Sequence, residues 1–150
     1  MNEQSSFSLF RSRAHAIHAR LIAAIADLVH TRNASRQRDA WRTLEASLLA
    51  HLGTEADLML PDFGLLHADE AAHVRGNHEL IRQSIARVHA TSTAGGLDPL
   101  ALGELDTLLR DCAAFEERQL YPWAERQLRA SKKGEFLHRA REQAPNDALS

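Results

Sequence analysis

The chain has 150 residues, 44% of them hydrophobic and 25% charged, with a formal net charge of −2. That length buries a real core without disulfide staples, and a single cysteine excludes an internal disulfide framework. The charge balance offers no electrostatic footprint for nucleic acid, so the unusual feature is nine histidines in so short a chain.

The opening "MNEQSSFSLFRSR" is polar and lacks a basic region followed by an apolar core, so no secretory leader is predicted. "LIAAIADLV" (Leu21 to Val29) is too short to cross a bilayer. A cytoplasmic protein without membrane or nucleic-acid partners is the expectation.

Taken in chain order, four long segments carry helical periodicity. The first places Phe10, Ala14, His18, Leu21, Ile25 and Leu28 on one stripe. A polar break, Thr31 to Arg38, separates it from the second, where Trp41, Leu44, Leu48, His51, Glu55 and Leu58 share a face. "PDFGLL" (Pro61 to Leu66) is expected to stop that helix, because Pro cannot continue the ladder and Gly64 permits a turn. The third helix aligns Val74, His78, Ile81, Ile85 and Val88. "TSTAGGLDP" (Thr91 to Pro99) follows, with Asp98 as N-cap and Pro99 at the first helical position of the fourth.

The fourth helix aligns Leu105, Leu108, Leu109, Cys112, Phe115, Glu116 and Gln119, and Pro122 is expected to end or kink it. A short amphipathic piece around Glu135 to Arg141 comes next. Its basic residues are interleaved with Glu125, Glu135 and Glu142, the pattern of a solvated helix face. The expected fold is all-α: a single domain over 1–150, an up-down-up-down four-helix bundle with its core at about 11–129 and a short helix and tail at 130–150.

The residues that break the apolar stripes carry the chemistry. His18, His51, Glu55, His78 and Glu116 stand where helical phase demands a core residue. A buried, unpaired carboxylate is expensive, and a metal ion is one of the few partners able to offset it. His51 and Glu55 lie one helical turn apart, so both can reach one ion, and Glu116 answers Glu55 from the fourth helix. Mixed imidazole and carboxylate donors suit iron, manganese or zinc and argue against an iron–sulfur cluster. Axial haem ligation by a spare histidine is a lesser alternative.

A frame recurs, "HLGTEADLMLP" (His51 to Pro61) and "CAAFEERQLYP" (Cys112 to Pro122), each with Glu four places after its first residue and Pro six later. With His18 before it and His78 between its copies, the pattern resembles the hemerythrin-like (HHE cation-binding) family over roughly 11–129. The resemblance implies that His18 and His51 bind one ion, that Glu55 and Glu116 bridge two, and that His78 serves the second. It further implies non-haem iron, as one or two ions, binding or sensing oxygen, nitric oxide or a related oxidant.

Two departures bear on that implication. Cys112 stands where the family places His, and Val74 stands where its oxygen carriers place a second His. Cys112 is read either as a packed small hydrophobe or as a sulfur ligand of the second ion. His15 competes with His18, and Glu117 with Glu116; phase favours His18, and the spacing to Pro122 favours Glu116. His67 and His73 are read as surface residues, and His30, His89 and His138 as solvated. Trp41 and Trp123 are read as core plugs, and Tyr121 and Phe115 as packing residues near the site. No nucleophile–base pair or phosphate-cradling loop supports hydrolase or transferase chemistry, although oxidase or peroxidase activity at a metal stays open. The rival reading is a helical interaction module with a degraded or mononuclear site.

Overall fold

The capping chemistry sets where the helices begin. The computed structural model describes residues 3–143. Its helices are α1 (Glu3–His30), α2 (Ala34–Leu58), α3 (Leu60–Leu66), α4 (Ala68–Thr91), α5 (Pro99–Gln127) and α6 (Ala130–Gln143). The Asn33 side chain accepts a hydrogen bond from the Arg36 N–H and starts α2. Asp98 accepts from the Leu100 N–H and starts α5, with Pro99 in the first turn as expected. Among the described residues no helix is long and apolar enough to cross a membrane.

The all-helical fold agrees with the expectation. Helix α1 packs against α2 and α5, and α4 packs against the same two, so the four long helices form a ring. Helix α3 lies on α2, α4 and α5, while α6 lies across α1 and α2. The core divides into two apolar clusters. One gathers Leu21, Leu48, Ile81 and Leu105, and the other gathers Ala14, Met59, Val74 and Leu120. Each long helix crosses from one cluster to the other through a buried polar residue: His18 on α1, His51 and Glu55 on α2, His78 on α4 and Glu116 on α5. A polar layer therefore interrupts an otherwise apolar interior.

Several local expectations need correction. The first break is only three residues long, because Asn33 caps α2 earlier than the polar composition suggested. The segment at Pro61 is not a plain stop. It forms the short helix α3, whose first turn tolerates the missing proline N–H. Pro122 does not end its helix, which runs on to Gln127. Gln119 is exposed, and Leu58, Leu108 and Phe115 are only half-buried; Leu120 and Tyr121 take the inward positions instead. The predicted short piece near 135–141 is the longer α6, anchored by fully buried Phe136. The expected tail at 144–150 lies outside the described residues.

One polar side chain on α2 ties two other segments together. The Gln37 amide donates to the Leu28 carbonyl (2.9 Å) and accepts from the Leu97 N–H (2.8 Å), joining the end of α1 to the loop before α5. Gly96 makes room for it at φ +116°, where an added Cβ would lie 2.5 Å from the Gln37 Oε1. Gln37→Ala should therefore destabilise the protein by about 2–4 kcal/mol in urea denaturation, since two backbone groups lose their partners. An unchanged midpoint would show that water replaces the amide.

Candidate metal centre

Helical phase delivers six donor side chains to the middle layer. His51 and Glu55 stand one turn apart on α2, as do Cys112 and Glu116 on α5; His18 comes from α1 and His78 from α4. All six are at most 5% exposed. Their donor atoms fall into two sets, each with its atoms within 4.8 Å of one another: His18, His51, Glu55 and Glu116, and His78, Cys112 and Glu116. Glu116 belongs to both. Its Oε1 lies 3.1 Å from His18 Nε2, and its Oε2 lies 2.9 Å from His78 Nε2.

Electrostatics separate the two carboxylates. Burial disfavours the charge on Glu116, but hydrogen bonds from His18 and His78 outweigh it and hold this carboxyl well below its usual range. Burial pushes Glu55 well above its usual value, and the Glu116 charge adds to the effect. For His18, burial opposes the charged ring, yet Glu116 and Glu117 raise its pKa to about 10. His51 is lowered to about 3, first by burial and then by the charge on His18, so its ring is neutral. Burial also pushes the Cys112 thiol up, reinforced by Glu116 and Glu55.

The first set fits a cation. His51 Nε2 and both Glu55 carboxyl oxygens are buried without a hydrogen bond among the described residues. His51 Nε2 and Glu55 Oε1 nevertheless lie only 2.6 Å apart, with no aligned donor between them. Buried acceptors this close call for a proton or a positive ion between them. Two imidazoles and two carboxylates are a donor set suited to iron, manganese or zinc.

The structure separates the competing candidates of the sequence. His18 is buried, whereas His15 is exposed. Glu116 faces the donor sets, while Glu117 lies behind His18, 3.4 Å from its Nδ1, and also pairs with His15. Glu117 thus backs the imidazole of His18 rather than competing with Glu116. Tyr121 does more than pack: its hydroxyl is 2.9 Å from His18 Nε2 and its ring stacks on that imidazole. His73 is exposed with its ring against Phe115, and His67 is half-buried, stacked on Phe63. His30, His89 and His138 are exposed, and both tryptophans are buried, as expected. The roles of Glu117 and Phe136 were missed in the sequence. The i, i+4 step from Glu117 to Tyr121 was an available signal for the first, and no motif marked the second.

A buried imidazole–carboxylate cluster inside a helical bundle defines a protein built to hold a cation in its core. Residues 12–124, well over half of the chain, match the Hemerythrin HHE cation binding domain, and the chain belongs to that family. No curated protein and no solved structure matches it.

Because the metal-free protein carries a proton on His18 up to about pH 10, an ion bound by His18 must displace it. Anaerobic Fe(II) addition at pH 7 should release at least about one proton per ion, with Glu55 contributing a further share. Affinity should rise roughly tenfold per pH unit between pH 6 and 8 for each proton displaced. A pH-indicator titration and a binding isotherm check both; proton-free, pH-independent binding would exclude His18 as a ligand.

Proposed function

We propose that the protein holds non-haem iron in the bundle core and binds or senses a small oxidant such as oxygen or nitric oxide. The observation that carries this reading is the pair of donor sets sharing Glu116, with His51 Nε2 and Glu55 Oε1 buried 2.6 Å apart beside it. His18, His51 and Glu55 would hold the first ion, Glu116 would bridge, and His78 with Cys112 would complete the second position. Zinc or manganese would suit the first set equally by donor type. Bound ferrous iron supplies a redox-active centre with affinity for small electron-accepting ligands.

The protein's own residues prepare the site. Glu117 fixes the orientation of His18 through Nδ1, and the Tyr121 hydroxyl, fully buried, offers a polar contact on the same ring. Phe136 of α6 packs its ring 6.2 Å from that of His51 and helps to exclude bulk water. Exclusion of water strengthens every charge interaction inside the layer. We place this activity in the cytoplasm, without a nucleic-acid or membrane partner.

A mononuclear form has its own supporting observation. Cys112 is packed into the aliphatic cluster with Leu105 and Leu109, and its thiol holds its proton tightly. The first set should accordingly fill before the second.

Elemental analysis after anaerobic reconstitution should find about one to two ions per chain, and Fe(II) or Zn(II) should raise the melting temperature in a concentration-dependent way. Less than about a tenth of an ion per chain would favour the interaction-module reading instead. Cys112→Ala should keep the first ion, while Cys112→His should move stoichiometry towards two and strengthen oxygen-dependent absorption. An unchanged metal content and spectrum in Cys112→His would show that α5 does not supply this ligand position.

A further inference from the structure

We propose that Tyr121 is a further ligand of the first position, and that the charge of the ion decides when it binds: its hydroxyl keeps its proton beside a divalent cation and joins a trivalent one as phenolate. The proposal rests on the metal reading above.

Tyr121 is the only tyrosine of the chain. It is 1% exposed, and its ring is held by stacking on His18 and by the rings of Phe10 (6.5 Å) and Phe136 (6.2 Å). A ring held in this way brings its hydroxyl to 2.9 Å from His18 Nε2. The same nitrogen lies 3.1 Å from Glu116 Oε1, while Nδ1 on the other side of the imidazole faces Glu117. Among the described residues, Nε2 is the one hydrogen-bonding neighbour of the Tyr121 hydroxyl.

One atom therefore has to serve two oxygens. An imidazole nitrogen offers either a hydrogen or a lone pair, never both. With the hydrogen, Nε2 can donate to the Glu116 carboxylate, and the Tyr121 O–H is left without an acceptor. With the lone pair, it accepts from Tyr121, and Glu116 Oε1 loses this donor. A buried hydroxyl or carboxylate left short is costly either way. A cation removes the conflict, because the imidazole, the carboxylate and the phenol oxygen can all present lone pairs to it. The spacing agrees. Two donors bound at about 2.0–2.2 Å and at right angles stand roughly 3 Å apart, and Tyr121 Oη and Glu116 Oε1 stand 2.9 and 3.1 Å from Nε2.

Charge decides when the phenol gives up its proton. The first set contains two carboxylates, Glu55 and Glu116, which together balance a divalent ion. Ionising Tyr121 there would leave an excess negative charge in the interior, which burial disfavours. A trivalent ion leaves one positive charge over, and a phenolate balances it. The step forms a metal–Oη bond and breaks the Tyr121 O–H bond, with the proton passing to the buffer. A bound cation ionises such a ligand even where burial opposes the free anion.

The full chain is reconstituted separately with Zn(II), Fe(III) and Ga(III) at about one ion per chain, with uptake read by elemental analysis. Fe(III) should develop a visible charge-transfer band whose resonance Raman spectrum carries tyrosinate ring modes, and Ga(III) should give the ultraviolet difference spectrum of tyrosinate. Zn(II) should give no tyrosinate difference. Because the chain has a single tyrosine, both signals report Tyr121, and the ring modes separate it from the Cys112 thiolate. Tyr121→Phe keeps the stacked ring; it should lose the ring modes and release Fe(III) to a chelator at least about tenfold faster than the wild type, with a smaller change for Zn(II). Uptake of Fe(III) and Ga(III) without a tyrosinate signal overturns the proposal and leaves the metal reading standing. A tyrosinate signal of equal size with Zn(II) overturns the dependence on charge. No uptake of any of the three ions fails the metal reading, and ligation by Tyr121 falls with it.

Discussion

The buried carboxylates Glu55 and Glu116 govern the middle of the bundle. Two such groups cannot remain ionised side by side in an apolar interior without positive charge or donors around them. Glu116 has that support, an imidazole on each oxygen, from His18 on α1 and His78 on α4. Glu55 does not: among the described residues no charged imidazole donates to either of its oxygens, and its near neighbour His51 is a neutral ring. The imbalance explains why burial holds Glu55 towards its acid form while Glu116 stays ionised. It also explains why Glu116 needs both α1 and α4. Losing His18 or His78 would strip one oxygen of this buried charge of its partner, and removing one partner of a buried charge is far more damaging than never burying it.

Much of this was legible because helical phase is a strong constraint. The stripe through Leu21, Ile25 and Leu28 selected His18 over His15, and burial follows that selection. The phase weakened where a choice of one residue decided the face. Gln119 and Leu120 lie three and four places after Glu116; the structure buries Leu120 and exposes Gln119, since the true repeat lies between those steps. The two prolines show the limit of local rules more clearly. Both occupy the same place in the repeated frame, yet Pro61 opens a new helix and Pro122 sits inside a continuing one. Around Pro122, the neighbouring residues Tyr121, Trp123 and Ala124 are all buried. Their packing outweighs the lost backbone bond, a tertiary override that no dipeptide signal contains. Helix α6 was underestimated for a similar reason, because its attachment rests chiefly on Phe136.

Glu117 illustrates a different blindness. Sequence spacing treated it as a competitor of Glu116, as though one position had to be functional and the other idle. On a helix, adjacent residues point about 100° apart, so neighbours can address one imidazole from two sides. Glu116 meets His18 at Nε2 and Glu117 meets it at Nδ1. Only the position of α1 against α5, a long-range packing outcome, makes both contacts available.

The repeated frame builds two unequal halves, and the inequality has a spatial logic. In the α5 copy the leading residue is Cys112, which joins the Leu105 cluster, and Val74 on α4 joins the Met59 cluster. His78 is therefore bounded along the bundle by apolar packing on both sides, with a thiol that keeps its proton. In the α2 copy the leading residue is His51, which combines with His18 and both carboxylates and also forms the inner wall of the cavity under α6. The better-equipped donor set is thus the one whose His51 lines a cavity under α6. The Cys112 half is joined to it through Glu116, which belongs to both donor sets. On the proposed reading, the first donor set holds the ion, and the half with sulfur in place of an imidazole acts on it through the shared carboxylate of Glu116.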